Sequence, residues 1–204
     1  VESHDNFTSD TSTSGYSSWM NDWQLKMCWA VIAARSNETP LFFSRPVGGG
    51  NGIMFTEETH IGDKGSDLFK DKEVVAVNKF RNAMVGESEY LKNYQGNNCL
   101  IIERGNKGVV IINLGQEKNI DTDTNLAEGV YTDQVSGSIF TSSNGKLSGN
   151  VKSGNIAVLY KNKLKDTAKV YFKKPRDWNN PKIYVYDNSS EGLKELAAWP
   201  GITM

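Results

Sequence analysis

The spacing of apolar residues changes character near residue 88. Before it, "WMNDWQLKMCWAVIAAR" places Trp19, Trp23, Met27, Ala30 and Ala34 at helical intervals, which predicts an amphipathic helix over 19–35 that ends at Asn37 and Pro40. The run "PLFF" reads as a short strand buried on both faces. A long polar, glycine-rich loop follows, "SRPVGGGNGIMFTEETHIGDKGS". "DKEVVAVNKFRNAMVG" then predicts a second helix, with Asp71 as N-cap, Val74, Val77, Phe80 and Met84 on its apolar face, and Gly86 as its stop. "VESHD" at the start reads as the end of a strand, followed by a Ser/Thr/Gly-rich loop over 6–18. Strand, loop, helix, strand, loop, helix is the alternation of parallel strands with crossover helices.

After residue 88 the period is that of strands. "NNCLIIERGNKGVVIINLG" is two apolar strands joined by a turn at Arg104–Lys107. "GVYTDQVSG", "SIFTSSNGKLSGNV" with Asn144-Gly145 as its turn, and "GNIAVLYK" continue as short strands, the pattern of an antiparallel sandwich or barrel. A basic, linker-like "KNKLKDT" separates these from an aromatic segment, "AKVYFKKPRDWNNPKIYVYDNSS". The fold class expected is therefore α/β plus all-β, with boundaries at 1–87, 88–165 and 166–204. Both chain ends look cut, and the last segment reads as an incomplete module.

Composition narrows the function classes. The 38% hydrophobic and 23% charged content is that of a soluble globular chain. A net charge of −1 offers no grip on nucleic acid or an acidic membrane surface. The apolar runs are too short to span a bilayer. Cys28 and Cys99 are isolated and lack metal-ligand spacing, so both read as small buried hydrophobes and a zinc site is set aside, while a disulfide between them is left open. The 5 tryptophans avoid the middle: Trp19, Trp23 and Trp29 are read as core packing, and Trp178 and Trp199 lie late.

Candidate chemistry begins with His4-Asp5. At the C-terminal end of a parallel strand, this carboxylate can hold sugar hydroxyls or stabilise positive charge, with the imidazole as donor; the alternative is a pair that only caps a turn. Glu2 alternates to the other side of the strand and reads as structural. "GGGNG" at 48–52 lacks phosphate-loop spacing and reads as a mobile loop on a cleft rim. His60 reads as structural or solvated. In the aromatic segment, Tyr184 and Tyr186 are two apart and share one face of a strand, with Ile183 and Val185 on the other. Aromatic faces there can stack on sugar rings, or fill a small core.

The order "VESHD", helix, "TPLFFSRP", glycine-rich loop, "IGDKGSDLF", helix and β-sandwich closely resembles the C-terminal part of bacterial α-amylases, the retaining glycoside hydrolases built on a (β/α)8 barrel. The resemblance implies that 1–87 holds the last two β/α units of that barrel. Asp5 would grip the hydroxyls of the distorted sugar, and His4 would hydrogen-bond the same ring. Asp63 would approach the donor sugars, with a solvated turn carboxylate as the alternative. The nucleophile and the general acid, which retention needs about 5–5.5 Å apart, would lie upstream, so the 204-residue chain alone is expected to be inactive. Calcium would be held upstream, with no cofactor in this chain. "VYFKKPRDWNNPKIYVYD…WPG" resembles the start of a starch-binding module, which implies binding of starch and α-1,4-glucans by Trp178, Tyr171, Tyr184 and Tyr186. A secreted, extracellular, monomeric parent with no nucleic-acid or membrane partner is expected. A non-catalytic glucan-binding fragment and a sister activity of the same clan are the alternatives.

Overall fold

The computed structural model describes residues 2–8, 17–37, 39–161, 175–184, 186–189, 192–195 and 202–203, and of residues 186–189, 192–195 and 202 it describes the backbone alone. The chain divides into two compact units, Val1–Asn162 and Lys163–Met204.

The first unit is built around two four-stranded antiparallel sheets. Strands β1 (Glu89–Asn93), β2 (Cys99–Arg104), β3 (Gly108–Asn113) and β8 (Ile156–Tyr160) lie side by side in that order. The second sheet runs β4 (Lys118–Asp123), β7 (Lys146–Val151), β6 (Ile139–Ser143), β5 (Gly129–Thr132). The expected hairpin pairs Cys99 with Asn113 and Arg104 with Gly108. The β6–β7 turn falls on Asn144 and Gly145, both at positive φ (50° and 70°), as a two-residue turn matched to strand twist requires.

Strands β2, β3 and β8 of the first sheet are buried on both faces. Cys99, Ile101, Val109, Ile111, Ala157 and Leu159 meet Ile120, Tyr131, Phe140, Leu147 and Val151 of the second sheet. The alternate positions, Ile102, Val110, Ile112, Ile156, Val158 and Tyr160, form a core with the helices. These helices are α2 (Asp22–Ala34) and α3 (Lys72–Ala83), and a short α1 (His4–Thr8) precedes them. The unit therefore has three layers: helices, sheet, sheet.

Local chemistry sets the helix limits. Asn21 and Gln24 form a reciprocal capping box at the start of α2. Asp71 caps α3 by accepting from the Glu73 amide, and its apolar face is the expected Val74, Val77, Phe80 and Met84. Lys26 on α2 bridges to Asp71 and Glu73. Arg104, buried in β2, donates to the carbonyls of Ala34 and Arg35 at the end of α2 and of Met84 and Glu87 after α3. One guanidinium thus satisfies the open C-terminal carbonyls of both helices and ties them to the sheet.

Three expectations are corrected. "VESHD" is not a strand end, because residues 4–8 form the helical turn α1: the Phe7 amide donates to the Ser3 carbonyl and the Ser3 hydroxyl accepts from the Asn6 amide. "PLFF" forms no ladder; residues 39–45 run without a paired strand among the described residues. The early helix starts at Asp22, not 19, after a 3₁₀ turn at Ser17–Trp19. Its buried face is Leu25, Met27, Trp29, Ala30, Ala33 and Ala34, which leaves Trp19 and Trp23 exposed rather than in the core. Cys28 and Cys99 are free thiols, the first half-buried and the second buried. Among the described residues, no helix is long and apolar enough to cross a membrane.

In the second unit, β9 (Lys182–Ile183) pairs with β12 (Ile202–Thr203), and β10 (Tyr186–Ser189) with β11 (Gly192–Glu195), both antiparallel. Tyr184 follows β9 and Tyr186 opens β10, so the two tyrosines do not belong to one continuous strand.

Candidate functional site

Arg45 organises the N-terminal region. Its Nε donates to Glu2 Oε1 at 2.8 Å, Nη1 to the Met20 carbonyl at 2.6 Å, and Nη2 to the Ser17 carbonyl at 2.5 Å. Its guanidinium sits 5.3 Å from the centre of the Phe7 ring. The Glu2 and Arg45 side chains are only 7% and 2% exposed. Losing either charge would strand the other in the interior, so Glu2 has the structural role expected of it. Phe7 is fully buried against Phe43 and Phe55.

This anchoring turns the polar side of α1 outward. His4 Nε2 and Asp5 Oδ1 are 3.2 Å apart, with side chains 77% and 81% exposed. A carboxylate and an imidazole so placed can offer an acceptor and a donor to sugar hydroxyls, in full contact with water.

Asp63 lies in a different place. Together with Phe43, Pro46, Val47, Phe55, His60 and Lys64 it lines an open depression of about 720 Å³. Its Oδ2 accepts from the His60 amide at 2.6 Å and lies 3.5 Å from His60 Nδ1. The carboxylate therefore shapes a turn while its side chain stays half exposed. His4 and Asp5 do not line this depression. The loop 48–52 is folded tightly beside it: a Cβ on Gly49 would come within 2.8 Å of the Phe7 ring, and one on Gly52 within 3.0 Å of the Trp19 ring. These glycines serve close approach of backbone to aromatic rings.

In the second unit Trp178 is 51% exposed, its amide donating to the Pro175 carbonyl, and Tyr184 is half-buried. Tyr171 and Trp199 lie outside the described residues, as does the Tyr186 side chain. A half-exposed indole can stack on the C–H face of a sugar. Among the described residues no three His, Cys, Asp or Glu side chains gather around a common point.

Arg45 and Arg104 were not legible as organising residues. A lone arginine next to a proline or a turn reads as solvated, and only its buried carbonyl partners show otherwise.

Comparison with known proteins adds the following. Residues 90–171 match the α-amylase C-terminal all-β domain, and residues 170–204 match starch-binding module 26. An α-amylase of Clostridium acetobutylicum is 41% identical over 161 residues, 78% of this chain and 19% of that protein. An α-amylase of Butyrivibrio fibrisolvens is 41% identical over 204 residues, 96% of this chain and 20% of that protein. The chain thus spans about a fifth of the length of the curated relatives it matches. The structure of α-amylase I from Eisenia fetida aligns with a TM-score of 0.48 at 16% identity, over 66% of this chain and 34% of that one. These matches support a C-terminal segment of an α-amylase, with an all-β domain and a starch-binding module.

Proposed function

We propose that this chain is the glucan-holding part of a secreted, monomeric α-amylase that hydrolyses internal α-1,4-glucosidic bonds of starch with retention. The observation that carries this reading is the match of residues 170–204 to a starch-binding module, whose described part presents Trp178 half exposed. Tyr171, Tyr184 and Tyr186 are its proposed companions in contact with sugar rings. In the parent, upstream barrel strands would supply the ladder that "VESHD" and "PLFF" lack in this chain, so that residues 1–87 complete a (β/α)8 barrel as its last two units, Asp5 and His4 hold the sugar in the cleavage subsite, and Asp63 reaches the donor sugars. The exposure of His4 and Asp5 supports this, since it leaves both side chains open to a sugar. The nucleophile, the general acid and the calcium ligands of the parent lie upstream. The 204-residue chain alone is therefore expected to release no reducing sugar from starch.

Affinity electrophoresis through gels containing amylopectin tests the binding part. The chain is expected to be retarded, and Trp178→Ala to migrate as in a plain gel. A wild-type chain that runs unretarded would overturn the reading.

A further inference from the structure

The seam of the sandwich holds a second candidate contact. Where β1 forms the open edge of the first sheet, Tyr90, Lys92, Glu103, Asp123, Thr124 and Asn125 line a cavity of about 170 Å³. That is well below the roughly 300 Å³ or more of pockets for drug-sized molecules, and on the scale of one monosaccharide ring. Tyr90 and Lys92 are two apart on β1 and share a face, and Tyr90 stands directly opposite Glu103.

Glu103 forms the floor, with its side chain only 3% exposed. Oε1 accepts from Thr124 Oγ1 at 2.7 Å and from Lys92 Nζ at 3.3 Å. Oε2 accepts from the Asn125 amide at 3.1 Å and from Asn125 Nδ2 at 2.9 Å. Four donors saturate the carboxylate, so it has no lone pair left for a metal ion or a reacting proton. Its effect is to hold Lys92 and Asn125 still. Lys92 also donates to the Asp123 carbonyl, which leaves one of its three N–H groups for a ligand. Asn125 Oδ1 remains as an acceptor. The Tyr90 ring, 50% exposed, completes the set.

A fixed donor and a fixed acceptor beside an aromatic ring suit the adjacent hydroxyls and the C–H face of a pyranose. Charge favours a neutral ligand. Glu103 is paired with Lys92 and Asp123 with Lys146, so the rim has no excess charge to draw an anion or a cation.

We propose that this seam pocket binds one glucose ring of a neutral α-glucan, through residues 90–125 alone. The inference rests on the glucan-binding reading above, and its test separates the two. Amide ¹H–¹⁵N spectra of the full chain are recorded during titration with maltoheptaose. Wild type and Trp178→Ala are both expected to shift at residues 90–92 and 123–125. Tyr90→Ala, and independently Asn125→Ala, should weaken that response about tenfold, the scale of one lost aromatic or polar contact. Maltoheptaose shifts that vanish everywhere in Trp178→Ala would overturn the seam site and leave the C-terminal contact standing. No shift anywhere in wild type would overturn both. Equal shifts at 90–92 and 123–125 with inorganic phosphate would overturn the sugar assignment.

Discussion

The two sheets of the first unit have four strands each, yet their sequences differ in kind. In β2, β3 and β8, "CLII", "GVVII" and "IAVLY" are apolar at nearly every position and nearly every residue is buried. In β4 to β7, buried and accessible positions largely alternate, as in "KNIDTD" with only Ile120 buried. An antiparallel sheet commonly keeps one face in water, so alternation is its ordinary signature. Unbroken apolar strands in such a sheet mean that a third layer covers the second face. Here that layer is α2 and α3, which makes the helices part of the sandwich's stability and not an appendage to it.

Removing that layer should have the largest effect. The sequence alone reads residues 88–165 as a segment that folds on its own and residues 1–86 as one that does not. The helix-covered face of the first sheet points the other way for 88–165. With Ile102, Val110, Ile112, Ile156, Val158 and Tyr160 uncovered, an isolated 88–162 fragment should self-associate and bind a hydrophobic dye, since each such side chain loses about 1.5–3 kcal/mol of burial. Sedimentation and dye fluorescence report this. A monomeric, dye-silent fragment with a sharp melt would mean that the helices are dispensable.

Neighbouring substitutions sharpen the contrast at the next scale. Ile111 faces the second sheet and Ile112 the helices, so Ile111→Ala and Ile112→Ala should each cost about 2–5 kcal/mol in chemical denaturation. On β4 only one neighbour should matter. Ile120→Ala should cost a similar amount, whereas Asp121→Ala should stay within about 0.5 kcal/mol. Equal effects at 120 and 121 would erase the distinction between the sheets.

The smallest effect is acid-dependent and lies at the seam. Burial alone would raise the Glu103 carboxyl, but hydrogen bonds from Thr124 and Asn125 and the Lys92 charge outweigh it and hold the group below the ordinary glutamate range. A depressed folded value means that this stability is fully present above the unfolded value, about 4.3, and is lost as pH falls through the folded value. Wild type should therefore lose stability more steeply than Glu103→Gln below about pH 5. Parallel slopes in that range would show that Glu103 is not the group responsible.

Much of the fold was legible because it is local. The Asp71 cap, the α3 face, the β2–β3 hairpin and the Asn144-Gly145 turn each depend on residues a few positions apart, whose periodicity and turn chemistry act on their own segment. The aromatic C-terminal segment left sugar stacking and core filling both open by its residues, and only its resemblance to a starch-binding module pointed to glucan. "VESHD" and "PLFF" were misread as strands because an apolar or extended run becomes a strand only when a neighbouring ladder accepts its hydrogen bonds. Trp19 and Trp23 were misread as core because the α2 register is set by the Asn21 capping box and by what the helix packs on.

Local periodicity and turn chemistry were thus determined by the sequence itself: two helices, a run of antiparallel strands and their turns. Which faces meet was decided only by the tertiary structure. Long-range partners brought α2 and α3 onto the first sheet, closed Arg104 over the ends of both helices, buried Arg45 against Glu2 and set Tyr90 and Lys92 beside Asn125. Those contacts join residues tens of positions apart, and a pairing of that range leaves no periodic trace in the segments it connects.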